Sequence, residues 1–335
     1  MTSNSIYSDA MNPDRKSLRA LAALVRCAVI LPLLTLLACA SELGPKDRAV
    51  RNHAFDPASA DQVSFDLEFP PLINELTFVV DGAALNAISY LAQGPGPHPT
   101  VVLLHGFPGN ERNLDLAQAI RRAGWNVVFF HYRGAWGSGG EFSFLHVIED
   151  VAAVVAAISE PKFAGDHRID PDRIALVGHS MGGFAALIAG VEVPSVACIV
   201  SLSGANLGGV ARLLAEDPDQ RAGFAASLDS WSGPIKGPHG VVLIQEIVDH
   251  SDRFDATARV DELARKPLLL VAGRRDVVTP AALHHDPLVD ALRAVDAALF
   301  ESFVFAEADH AYSGQRIALA RRVTNWLEGP CLRAD

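Results

Sequence analysis

The stretch that decides the fold is Ile174-Ala175-Leu176-Val177-Gly178-His179-Ser180-Met181-Gly182-Gly183. Ile174 to Val177 form a continuous apolar run, the pattern of a strand buried on both faces. Met181–Val191 then carries apolar residues at helical spacing. Ser180 therefore occupies a sharp strand-to-helix turn, the setting in which a G-x-S-x-G sequence has chemical meaning. Such a turn lifts the serine hydroxyl above the sheet. Gly178 and Gly182, lacking Cβ, let neighbouring backbone approach closely. The helix start directs an amide and a positive dipole end toward the serine.

Outward from this turn, short β-rich runs alternate with helical ones from about residue 63. Strands are predicted at Leu76–Val80, Ala87–Leu91, Thr100–His105, Asn126–His131, Ile174–Gly178, Val196–Leu202, Pro267–Ala272 and Ser302–Ala306. Helices are predicted at Leu114–Ala123, Ile148–Ser159, Met181–Val191 and Arg316–Trp326. Alternation of this kind specifies an α/β domain with a mostly parallel sheet covered by helices. Residues 205–265 break the rhythm with a Gly/Pro-interrupted segment and the acidic run Glu216-Asp217-Pro218-Asp219. They read as a partly helical lid at the carboxyl edge of the sheet, with a plain surface excursion as the alternative.

A serine hydroxyl needs a base, and the base needs an orienting carboxylate. Asp276 follows the strand LLLVAG in GRRDVVTP, and His310 follows FVFAEA in ADHAYSG. The rivals are worse placed: Asp309 adjoins His310, Asp286 lies past the start of the next helix, and no carboxylate closely follows SLSGAN at 201–206. With Ser180 in GHSMGG, these motifs make residues 63–330 resemble the α/β-hydrolases, whose triad runs Ser, Asp, His along the chain. The resemblance implies an eight-stranded, mostly parallel sheet with helices on both faces and a small lid. It also implies Ser180 as nucleophile, His310 as general base and acid, Asp276 as its orienting carboxylate, and no cofactor.

Two oxyanion donors follow from the same resemblance: the backbone N–H of Met181 and that of Phe107, which succeeds the dipeptide His105-Gly106. Pro108 has no N–H to offer, and His105 reads as a buttress of that loop. The segment from Tyr132-Arg133-Gly134 through Gly140 also resembles the peptidase-like and esterase-like branches, with Arg133 in a structural ion pair. Trp136, Phe142 and Phe144 are candidates for an acyl pocket, with core packing as the alternative. His284 and His285 are adjacent on a predicted helix, about 100° apart, so they cannot chelate one metal together. His179 reads as the variable residue of the turn, Cys198 as a core residue of its strand and Cys331 as a free thiol. Neither a metal site nor a G-x-G-x-x-G nucleotide fingerprint is present in the sequence.

At the amino terminus, Arg15, Lys16, Arg19 and Arg26 precede the uncharged run Cys27–Ala38, a secretory-signal pattern too short to span a bilayer. The run ends in Leu36-Leu37-Ala38-Cys39, which resembles the lipobox of bacterial lipoproteins and implies lipidation at Cys39. Ala38-Cys39-Ala40 is alternatively an ordinary signal-peptidase site, and an uncleaved anchor is a further alternative. The expectation is an exported protein facing the periplasm or cell exterior: signal at 1–40, flexible tether at 41–62, catalytic domain at 63–330 and a short tail at 331–335. With 28 Lys+Arg against 39 Asp+Glu the net charge is −11, and no basic cluster exists to neutralise a nucleic-acid backbone. Half the residues are hydrophobic, which excludes a disordered chain.

The function expected is hydrolysis of a small carboxylic ester through an acyl-enzyme. An aminopeptidase or dipeptidyl peptidase acting on a short peptide is the alternative, with Glu216, Asp217 or Glu246 as candidates to hold a free α-amino group. An inactive binding lipoprotein is the reading from a different class.

Overall fold

The structure is a computed structural model that describes residues 55–231 and 233–332. The signal-like segment with Cys39 and the first part of the expected tether lie outside the described residues. One sheet runs through the domain: β1 (Leu72–Val80), β2 (Ala83–Leu91), β3 (His98–Leu104), β4 (Asn126–Phe130), β5 (Ile169–His179), β6 (Val196–Leu202), β7 (Leu268–Gly273) and β8 (Phe300–Phe305). Their order across the sheet is β1-β2-β4-β3-β5-β6-β7-β8. Only the β1–β2 and β2–β4 pairings are antiparallel.

Burial explains which strands were legible. Every residue of β4 and β7 is buried, and β3 and β6 nearly so, which is why they read as unbroken apolar runs. The β1–β2 hairpin has one solvated face, so its residues alternate and its first turns carried little apolar signal. Both strands accordingly start four residues earlier than predicted, at Leu72 and Ala83.

Helices α1 (Leu114–Arg122), α2 (Phe144–Ser159), α3 (Pro161–Asp166) and α4 (Met181–Glu192) connect the first strands. The insertion between β6 and β7 folds as α5 (Leu207–Glu216), α6 (Pro218–Trp231), α7 (Gly240–Asp249) and α8 (Val260–Leu263). The chain closes with α9 (Ala281–His284), α10 (Asp286–Ala294) and α11 (Arg316–Trp326). One apolar layer lies beneath α2 and α4, and a second lies beneath α1 and α11, so helices cover both faces of the sheet.

Both ends of the domain depart from the sequence reading. Residues 55–62, expected as tether, are docked: Asp56 pairs with Arg321 at 2.7 Å, the Pro57 carbonyl accepts from Arg122 Nε at 2.7 Å, and Ala58 packs on the apolar layer beneath α1 and α11. Cys331, expected as a free thiol in a tail, forms a disulfide with Cys198 across a sequence separation of 133, with Cα atoms 5.7 Å apart. Leu327–Cys331 winds on from α11 and carries the sulfur to the inner strand β6.

Candidate active site

The site stands at the carboxyl ends of the central strands. Ser180 joins β5 to α4 with φ 59 and ψ −119, a backbone conformation that costs roughly 1–3 kcal/mol. Its neighbours hold it there: Ser180 N–H donates to Leu202 O at 2.9 Å, and Ser180 O accepts from Ala205 N at 3.1 Å. The glycines of the motif are sterically required. A Cβ on Gly178 would lie 1.9 Å from Gly182 O, and one on Gly182 would lie 2.2 Å from Leu104 O.

Asp276 and His310 reach the same end of the sheet from the loops after β7 and β8, and Asp276 Oδ2 accepts from His310 Nδ1 at 2.8 Å. The carboxylate is saturated with donors: Oδ1 accepts from the N–H groups of Val278 and Thr279, both at 2.8 Å, and Oδ2 also accepts from Thr279 Oγ1 at 2.8 Å. Burial alone would raise its pKa, but the bonds from His310 and Thr279 hold it down to about 2. An ionised acid on Nδ1–H leaves Nε2 of His310 as the basic nitrogen.

His179, read from sequence as a variable position, proves to have a job. Its Nε2 lies 2.7 Å from the carbonyl oxygen of His310, and the two rings are 4.7 Å apart. A carbonyl only accepts, so Nε2 carries the proton. Burial, with the charge of His310 adding to it, lowers the His179 pKa to about 4 and keeps the ring neutral. The loop is pinned again by Tyr312, whose hydroxyl accepts from Ser203 Oγ and donates to Val271 O, each at 3.0 Å.

The loop after β3 is braced from behind. His105 is buried, with Nδ1 2.7 Å from Gly106 O and Nε2 3.2 Å from His131 Nδ1. Tyr132 donates to His105 O at 3.1 Å, and Trp136 Nε1 donates to Pro108 O at 2.7 Å. Arg133 is buried in ion pairs with Asp150, Glu149 and Asp81 at 2.6, 2.7 and 3.1 Å. It anchors the glycine-rich loop from below.

Ser180, Met181 and Phe107 share the wall of a cavity of about 430 Å³. The insertion supplies most of the rest, through Leu207, Val210, Leu213 and Leu214 of α5 and Phe224, Leu228 and Trp231 of α6. Of the three aromatics singled out in the sequence, Phe144 lines it; Trp136 and Phe142 do not. Phe142 is buried behind Phe107, ring centroids 5.3 Å apart, and Trp136 is stacked on His131 beneath the Arg112 guanidinium, 4.2 Å away. No carboxylate lines the cavity among the described residues. Glu246 caps α2 by accepting Phe144 N–H at 2.7 Å, Asp217 caps α6 by accepting from Asp219 and Gln220 at 3.0 Å, and Glu216 lies off the wall. His284 and His285 part company: His285 Nε2 meets Ser302 Oγ at 2.9 Å, and His284 forms part of the cavity wall.

Fold and family match agree: the profile of the α/β hydrolase fold matches residues 99–265, and the chain belongs to the α/β-hydrolase superfamily. Among curated relatives, Esterase YjfP of Escherichia coli K12 is 27% identical over 208 residues, covering 57% of this chain and 74% of its own. An uncharacterised Mycobacterium tuberculosis protein is 26% identical over 204 residues, covering 61% of each chain, so the match spans about three fifths of that relative's length. Among solved structures, ferulic-acid-bound Est1E of Butyrivibrio proteoclasticus superimposes with a TM-score of 0.62 at 20% identity, over 77% of this chain and 100% of its own.

Proposed function

We propose that this chain is an exported serine hydrolase that cleaves carboxylic esters with an apolar acyl or alkyl group. In this reading Ser180 attacks the ester carbonyl while His310 Nε2 takes its proton, and Asp276 holds the imidazole and stabilises its cation. The N–H groups of Phe107 and Met181 receive the oxyanion, a contribution on the order of 10²–10³ in rate per donor. His310 then returns the proton to the leaving alkoxide, and water, activated by the same nitrogen, releases the acid.

The observation that carries the reading is the cavity that Ser180 lines, whose wall is mostly apolar and bears no carboxylate among the described residues. An aminopeptidase must hold a cationic α-amino group, and the candidates for that task are engaged elsewhere or off the wall. Export is supported by the signal-like amino terminus and by the Cys198–Cys331 disulfide, a bond that persists in oxidising compartments. Lipidation at Cys39 belongs to the same proposal and is tested by loss of acyl labelling in Cys39→Ser.

The test pairs a p-nitrophenyl ester series with aminoacyl-p-nitroanilides, with Ser180→Ala as blank. Ester turnover that vanishes in Ser180→Ala, with negligible anilide turnover, is expected. Dominant anilide turnover, or ester turnover surviving in Ser180→Ala, overturns the assignment.

A further inference from the structure

Beyond the groups just assigned, the wall of the cavity carries a polar side chain, His284, whose hydrogen is fixed by geometry and has no acceptor among the described residues. We propose that His284 is a substrate-binding donor, its Nε2–H selecting esters that carry a second, uncharged oxygen along the chain held in the cavity. The inference deepens the esterase reading and rests on the cavity being the substrate site.

The tautomer follows from geometry. The backbone N–H of Asn206 points at His284 Nδ1 from 3.0 Å, and a backbone N–H can only donate. Nδ1 must therefore offer its lone pair, which leaves the hydrogen of the neutral ring on Nε2. Asn206 is itself immobilised at the start of α5. Its Nδ2 donates to Asp255 Oδ1 at 2.9 Å, and its Oδ1 accepts from Gly209 N at 3.1 Å. The donor that sets the tautomer thus cannot readily turn away.

The ring lines the same cavity as Ser180, and no described residue accepts from its Nε2. The neighbouring hydroxyl is not available for the same work: Thr279 Oγ1 is held between Asp276 Oδ2 at 2.8 Å and Ser203 O at 2.9 Å. Gln220 and Ser227 approach from α6, on the insertion. His284 is the fixed donor on the sheet side.

Charge decides the class of acceptor. Burial lowers the His284 pKa to about 4, so the group presented is a neutral N–H. No Lys or Arg lines the cavity among the described residues, so a carboxylate or phosphate would enter an apolar wall without a counter-charge. A keto, ether or second ester oxygen needs only one hydrogen bond and fits that wall. A plain hydrocarbon chain would leave the N–H without a partner on binding, a penalty that separates the two substrate types.

The test uses p-nitrophenyl hexanoate and analogues in which each methylene of the acyl chain is replaced in turn by oxygen, assayed on wild type, His284→Leu and His284→Gln. The quantity read is kcat/KM of each oxa-ester divided by that of the hexanoate, which cancels intrinsic reactivity between variants. For at least one oxygen position this ratio is expected to fall about tenfold in His284→Leu and to recover in His284→Gln, whose amide can donate. A ratio unchanged at every position in His284→Leu overturns the inference. In parallel, methyl ketones with the same hydrocarbon or oxa chains are titrated into ¹⁵N-histidine-labelled Ser180→Ala, and the His284 Nε2 resonance is followed. A shift with the oxa-ketone alone supports the donor role even if no ester is turned over, an outcome that would remove the esterase reading only. No shift with either ketone removes the donor role and leaves esterase activity to stand on its own assay.

Discussion

The imidazole of His179 holds the backbone of His310: Nε2 of the residue before Ser180 lies 2.7 Å from the carbonyl oxygen of the histidine on the far loop. The turn that carries Ser180 and the loop that carries His310 are thereby tied by a hydrogen bond that uses neither the Ser180 hydroxyl nor the His310 ring. Replacing His179 by Phe keeps the bulk and removes the bond. We expect kcat on the best p-nitrophenyl ester to fall about 10–100-fold with KM little changed, because a displacement near 1 Å in a catalytic group costs rates of that order. His179→Gln, whose amide can donate to the same oxygen, should recover most of the loss. Equal defects in both variants would show that ring packing matters and the bond does not.

Asp276→Asn tests the acid assignment. The amide keeps the size of the side chain but cannot accept the Nδ1–H of His310 with an ionised oxygen, so the imidazole loses its orientation and the stabilisation of its cation. A loss on the order of 10⁴ in kcat is expected, measured by steady-state kinetics with circular dichroism as the control for folding. Retention of most of the activity would move the acid elsewhere.

The disulfide should matter for stability more than for chemistry. Cys198 lies in an inner strand and Cys331 beyond the last long helix, and the bond closes a loop spanning a sequence separation of 133. Constraint of the unfolded chain over such a loop is worth roughly 3–5 kcal/mol. Cys331→Ala should therefore lower Tm by about 5–10 °C at neutral pH, with kcat nearly unchanged, as read by calorimetry. A Tm unaffected by the substitution or by added reductant would contradict the pairing.

What the sequence disclosed and what it concealed follow from how far apart the partners stand. Strands β3 to β7 announced themselves because burial on both faces demands unbroken apolar runs, and the Ser180 turn because its glycines admit no side chain. Asp276 and His310 were legible from their position after strand ends, although their 2.8 Å contact joins residues 34 apart in sequence. The Cys198–Cys331 pair was missed because neither cysteine has a local signature: one looks like core, the other like tail. For Trp136 and Phe142 the sequence leaves pocket and core packing open, because an aromatic in a loop reads the same whether it packs inward or lines a cavity, and the structure decides for packing. The roles of His179 and His284 depend on a carbonyl and an N–H from distant segments, and no spacing rule reports those.

The insertion should set chain-length preference. Phe224 of α6 lines the cavity that Ser180 also faces, so Phe224→Ala extends the space available to the substrate. The optimum of the p-nitrophenyl ester series is expected to move toward longer acyl chains by about two or more carbons, since deleting the ring vacates the volume of several methylenes. A uniform loss across all chain lengths would instead assign α6 a purely structural role.

Acid should destabilise the domain through the histidines behind the loop that follows β3. Burial, together with the charge of the neighbouring His131, lowers His105 to about 3; burial, together with the charge of Arg112, lowers His131 to about 4. The ordinary value of each is 6.5. Between those folded values and 6.5 the unfolded chain binds protons that the folded chain does not, so stability falls as pH falls. The contribution is complete above about pH 6.5 and is lost progressively below it, each pKa unit corresponding to about 1.4 kcal/mol. The contact geometry gives the same sign, because protonating His105 Nε2 would set a second N–H against the Nδ1–H of His131 across 3.2 Å. Tm measured from pH 8 down to pH 4.5 should be flat at first and then drop, and the double variant His105→Gln, His131→Gln should lose a part of that dependence, the rest staying with His179 and His284, which burial lowers to about 4 in the same way. A wild-type Tm that rises on acidification, or a double variant with the same pH slope, would assign the acid sensitivity to other groups.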